Sequence, residues 1–96
     1  MSKLTVVAKI VVKSDFVEAA KAELLKLVPP TRRESGCIEY NLQQDNQNPA
    51  LFIFYETWEN AASLEKHINT EHYKAYAKAL AGMLDEKVVN KMTRIG

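Results

Sequence analysis

Two stretches of this chain, residues 4–12 (LTVVAKIVV) and 51–58 (LFIFYETW), read as strands that carry apolar side chains on both parities. In the first, Val6, Ala8 and Ile10 oppose Val7 and Val11; in the second, Phe52, Phe54 and Trp58 oppose Ile53 and Tyr55. Successive side chains of a strand point to opposite faces, and an antiparallel sheet with one wet face shows apolar-in, polar-out alternation. These strands lack that polar face, so both sides of their sheet require cover. Helices can supply one side. The other is expected to meet the same face of a second copy of the chain.

The remaining elements follow from local pattern. Ser14-Asp15 starts a first helix, with Asp15 and Glu18 at capping-box spacing. Phe16, Ala20, Leu24, Leu27 and Val28 give this helix an apolar stripe. Pro29-Pro30 remove two amide donors, which predicts a kink, with TRRES as a last turn and Gly36 as the C-terminal cap. Residues 37–44 alternate, with Ile38, Tyr40 and Leu42 on one face, and 37–58 reads as a hairpin closed by the turn cluster 45–49. Asn60 caps a second helix carrying Ala61, Leu64 and Ile68. Asn69-Thr70 break or offset it, and a further helical segment runs from about 71 to 81. Gly82 interrupts, and 87–95 is the last strand. The order β-α-β-β-α-β predicts an α+β, ferredoxin-like fold, one domain over residues 1–96 with its core at about 4–95.

Several function classes are disfavoured. The net charge is +1 and no run of like charge exceeds Arg32-Arg33, so a nucleic-acid footprint is not expected. The one cysteine, Cys37, rules out an internal disulfide framework and a cysteine-based zinc cluster. Lys9 and Lys13 break the apolar start as a signal peptide, and no apolar run reaches the ~18 residues of a membrane span. A cytoplasmic location, away from membranes, is the expectation.

The groups that could do chemistry concentrate in 56–76: Glu56, Trp58, His67, His72, Tyr73 and Tyr76, with Tyr40 added from the hairpin. There is no dinucleotide glycine fingerprint, no Walker loop and no GxSxG elbow. His67 and His72 are five apart, about 140° round an unbroken helix. A metal site would need a helix break and a third ligand that the sequence does not nominate. His67 lies one turn from Leu64, at the edge of the face that packs on the sheet. The residues alone leave it either a core-edge histidine satisfied by a carbonyl or a general base made neutral by burial. Glu56 is a carboxylate in an apolar strand and requires a partner.

Gly36-Cys37, Tyr40, Asn48-Pro49, Glu56-x-Trp58, His67 nine residues after that Trp, and His72 together resemble the antibiotic biosynthesis monooxygenase family over essentially the whole chain. The likeness is greatest to its small stand-alone quinol monooxygenases. The resemblance implies a dimeric α+β barrel of two ferredoxin-like subunits, paired through the sheet face. It also implies a pocket between sheet and helices, with His67 and Trp58 as catalytic residues and Tyr40, Glu56, His72, Tyr73 and Tyr76 against substrate. Relatives oxidise quinols or polycyclic phenols with dioxygen and no cofactor, since a deprotonated quinol itself reduces oxygen. Haem-degrading relatives use an Asn on the first strand, and LTVVAKIVV has none.

Two other activities stay open. One is isomerisation of a small phosphorylated, autoinducer-like ketone, for which Arg32, Arg33 and Lys66 are the nearest cations in sequence. The other is a non-catalytic dimeric ligand-binding module, because one fold hosts many functions.

Overall fold

The computed structural model describes residues 3–96. Strands β1 (Leu4–Val12), β2 (Cys37–Gln44), β3 (Leu51–Trp58) and β4 (Leu84–Met92) form one antiparallel sheet in the order β2-β3-β1-β4. Helices α1 (Val17–Arg32), α2 (Ala61–Ile68) and α3 (Glu71–Ala79) lie on one side of it. The architecture is ferredoxin-like α+β, with the second helix of the pattern divided into α2 and α3.

The two-faced reading of the strands is observed directly. Val6, Ala8, Ile10 and Val12 of β1 and Phe52, Phe54 and Trp58 of β3 are buried under the helices, with Ala20, Leu24 and Leu27 of α1 packed on them. Register places Val6 opposite Glu56, Ala8 opposite Phe54 and Ile10 opposite Phe52. The far face carries Val7, Val11, Leu51 and Ile53, half-buried, with Tyr55, Val88 and Met92 exposed.

Four local expectations are corrected. The capping box does not form: a 3-10 turn at Ser14–Phe16 precedes α1, and no side chain caps the helix. As expected, the helix continues past Pro29 and Pro30, which lie inside α1, and it ends at Arg32. The carbonyls they leave without amide partners belong to Leu25 and Lys26, both on the exposed side, where water can bond them. Meanwhile Leu27, Val28 and Thr31 are buried on the other side. Gly36 is not a left-handed cap, as only Gly82 has a positive φ, of 84°. Gly36 is needed instead for close approach, because a Cβ there would overlap the Ser63 side chain of α2.

The third correction concerns β2. The β2–β3 register shifts between Cys37 and Glu39, so Ile38 is the extra residue of a bulge and is exposed. A bulge reverses the side-chain phase. It turns Cys37, and not Ile38, toward the core that Tyr40 and Leu42 share. At the C-terminal end, β4 runs three residues earlier than expected. Glu86, which lies before the expected strand, pairs with Lys9 of β1 at 3.4 Å, and the ladder extends from Val12–Leu84 to Thr5–Met92.

Candidate active site

The break between α2 and α3 builds the site. Thr70 Oγ1 donates to the His67 carbonyl at 2.7 Å and accepts the Tyr73 amide at 3.2 Å. One hydroxyl thus closes α2 and opens α3, and Asn69 Nδ2 occupies the Glu65 carbonyl at 2.8 Å. Asn60 caps the other end of α2 by accepting the Ser63 amide at 2.9 Å. Side-chain oxygens that satisfy first-turn amides favour such starts.

The break brings the two histidines together. His67 Nδ1 lies 2.8 Å and His72 Nε2 2.6 Å from the same atom, Oε2 of Glu34. The expectation that the histidines cannot meet held only for a continuous helix, and the third group absent from the sequence reading is Glu34. This carboxylate stands in the turn between α1 and β2, a third element, and is largely buried. An ionised carboxylate only accepts hydrogen bonds. Both contacting nitrogens therefore carry protons, and the free electron pair of His67 is on Nε2.

His67 is 2% exposed. Burial pushes its pKa below the ordinary value; the Glu34 hydrogen bond and charge raise it, and His72 lowers it further. The imidazole is neutral at pH 7 as a result. Its ring lies 4.7 Å from that of Trp58, 5.0 Å from Tyr73 and 5.6 Å from Tyr40.

A cavity of about 270 Å³ opens between α2, α3 and the sheet. Of the residues expected there, Tyr40, Glu56, His67, Tyr73 and Tyr76 line it. Trp58 does not: it is fully buried behind His67, and its indole N–H donates to Glu56 Oε1 at 2.9 Å. His72 also lies off this wall, beside Glu34. Arg32, Arg33 and Lys66 are not on it either, and Arg32 is engaged with the Tyr40 carbonyl and Asn41 Oδ1.

The cations at this cavity are Lys87 and Lys91 of β4, missed because alternation could not be phased through a strand placed three residues late. Lys87 Nζ donates to Tyr73 Oη at 3.2 Å and stands over the Tyr73 and Tyr76 rings. Burial keeps the hydroxyls of Tyr40 and Tyr76 protonated far above neutral pH, so they are hydrogen-bond donors. Glu56 is pushed up to about 7 by burial, against the lowering effects of the Trp58 hydrogen bond and Lys87. Cys37 is raised to about 11 by burial and by Glu34 and Glu56, so its thiol stays protonated at neutral pH. No helix among the described residues is long and apolar enough to cross a membrane.

Comparison with known proteins follows the same lines. The family model described as antibiotic biosynthesis monooxygenase matches residues 3–79. An Escherichia coli K12 protein named "Probable quinol monooxygenase YgiN" is 33% identical over 82% of this chain and 86% of its own length. An uncharacterized protein of Synechocystis is 29% identical over 96% of this chain, which spans only 63% of that relative. A crystal structure of a Pseudomonas aeruginosa protein superposes with a TM-score of 0.96 at 34% identity, covering 100% of this chain and 97% of that one.

Proposed function

The chain belongs to the antibiotic biosynthesis monooxygenase family, and from that premise we propose that it oxidises a small aromatic quinol with dioxygen, without a cofactor, in the cavity beside His67. One observation carries this reading: Nδ1–H of His67 is held on Glu34 at 2.8 Å while the ring lines the cavity. A neutral imidazole so oriented presents Nε2 as a proton acceptor, and Glu34 stabilises the imidazolium that forms. The quinol anion then passes an electron to dioxygen. One oxygen atom enters the ring as hydroxyquinone and the other leaves as water with two hydrogens of the quinol. Protonated Tyr76 and Tyr40, with Lys87, supply donors for the anion.

The volume supports a small substrate, since ~300–1,000 Å³ is usual for ligand pockets and about 270 Å³ suits one or two rings. Oxygen uptake on a panel of hydroquinones tests the reading. The expected result is one dioxygen consumed per quinol, above the rate of autoxidation. Tight binding without consumption would instead identify a ligand-binding module. Lys87 and Lys91 give some support to the phosphorylated-ketone isomerase, in which His67 would move a proton between carbons. That reaction consumes no oxygen, so the same assay separates it.

The open sheet face supports a homodimer, with Val7, Val11, Ile53, Tyr55 and Val88 meeting their counterparts. Sedimentation at micromolar concentration is expected to give twice the 10.9 kDa chain mass. A clean monomer would overturn the pairing and leave this face without cover.

A further inference from the structure

We propose that Glu34, His67 and His72 form a binding site for one divalent transition-metal ion, zinc or a borderline ion such as cobalt, and that its occupation switches off the proton acceptor of the cavity. Glu34 Oε2, His67 Nδ1 and His72 Nε2 all lie within 4.8 Å of one another. Two imidazoles and a carboxylate are a donor set for zinc and its neighbours, whereas magnesium and calcium prefer oxygen alone. The three ligands come from three elements: the turn after α1, the last turn of α2 and the first turn of α3. Packing therefore holds them, and not one mobile loop.

The present separations of 2.8 and 2.6 Å are those of hydrogen bonds. Around a tetrahedral ion with bonds of ~2.0–2.2 Å, the same atoms stand roughly 3.3 Å apart. The two Glu34 contacts must open by about 0.5 and 0.7 Å to admit the ion. His67 is fixed, but Glu34 is carried by a short turn and His72 is partly exposed, so these two can yield. His72 also borders a second hollow, of about 130 Å³, beside Glu23, Lys26 and Leu27 of α1. It offers an approach for the ion and room for a water as fourth ligand.

To bind through Nδ1, the neutral His67 imidazole gives up the proton on that nitrogen and takes one on Nε2, with solvent as carrier. For His67 that exchange is decisive: metal on Nδ1 leaves Nε2 bearing hydrogen, so the nitrogen assigned as proton acceptor becomes a donor. This second half of the proposal rests on His67 being the base, whereas the binding site itself does not.

Calorimetric titration of the full chain with zinc chloride tests the site, and histidine ring ¹⁵N spectra test the switch. Expected are one zinc per chain, saturating at micromolar concentration, and tetrahedral absorption bands when cobalt replaces zinc. His72→Ala, at a partly exposed position, and the near-isosteric Glu34→Gln should each weaken zinc by at least about 10–100-fold. No stoichiometric binding, or unchanged affinity in folded His72→Ala, overturns the site. On saturation the spectra should show His67 moving from the Nδ1–H to the Nε2–H form; an unmoved tautomer overturns the switch. If no quinol is ever consumed in metal-free protein, the functional reading has failed, and the calorimetric and spectral results still decide the metal site.

Discussion

Replacing His67 with alanine is expected to lower turnover of an accepted quinol by about 10²–10⁴-fold, the usual share of general-base catalysis. Substrate affinity should change far less, because the cavity walls are supplied by Tyr40, Phe54, Leu64 and Tyr76. From sequence, His72 serves as a mild control, pointing about 140° away on a continuous helix. The structure removes that independence, since His72 bonds the carboxylate oxygen that orients His67. A graded series follows. Glu34→Gln should fall between the two histidine variants, because the amide keeps the shape and an acceptor oxygen but loses the charge that stabilises the imidazolium. His72→Ala should be the mildest, since Glu34 remains. Steady-state oxygen uptake with circular dichroism as a folding check reads all three. Full activity in folded His67→Ala would return this residue to a packing role.

Glu56→Gln is expected to stabilise the protein at alkaline pH. The Glu56 carboxyl is raised from 4.5 to about 7 in the folded chain, chiefly by burial. A raised carboxyl pKa means the folded state favours the protonated form, so stability is greatest below the unfolded value near 4.5. It is lost as pH rises through about 7, where folding must bury the charge. At ~1.4 kcal/mol per unit the full effect is about 3 kcal/mol above pH 8. Glutamine carries no charge and can still accept the Trp58 N–H, which now goes to Glu56 Oε1 at 2.9 Å. The variant should therefore match the parent near pH 4 and melt about 12–24 °C higher near pH 8, at ~4–8 °C per kcal/mol for a chain of this size. Parallel melting curves across pH check it; identical slopes for the two proteins would show that Glu56 is not the group responsible.

The strands and the site were legible in the sequence to different depths. β1, β2 and β3 have the expected bounds because their β-branched and aromatic runs are punctuated by turn residues. The helix break at Asn69-Thr70 was also readable, since Thr is a good cap. Its consequence was not. Phase across a break depends on two backbone residues, and helical periodicity fixes direction only within one element. Glu34 was invisible for a related reason: in TRRES it looks like one more solvated charge, and its meeting with His67 spans 33 residues. Ile38 was misplaced because a bulge adds one residue without any signature in an alternating run. Trp58, expected from the family resemblance as a catalytic residue, is fully buried off the cavity wall and donates its indole N–H to Glu56, a placement that the strand-end position in the sequence does not reveal.

The strand order β2-β3-β1-β4 has a bearing on how the chain is made. β1 is central, yet one of its two neighbours is β4, so Thr5 waits for Met92 before its ladder is complete. During synthesis, at roughly 5–20 residues per second, β1 can pair with β3 while its other edge keeps a row of unsatisfied amides and carbonyls beside Val7 and Val11. Long-range pairings of this kind also slow folding, because the loop must close before the contacts reward it. The nascent chain is therefore most prone to edge-to-edge association after β3 has emerged and before residues 84–92 have left the ribosome. The closing strand then covers β1 with a sequence, LDEKVVNKM, whose four charges make it a poor template for further addition.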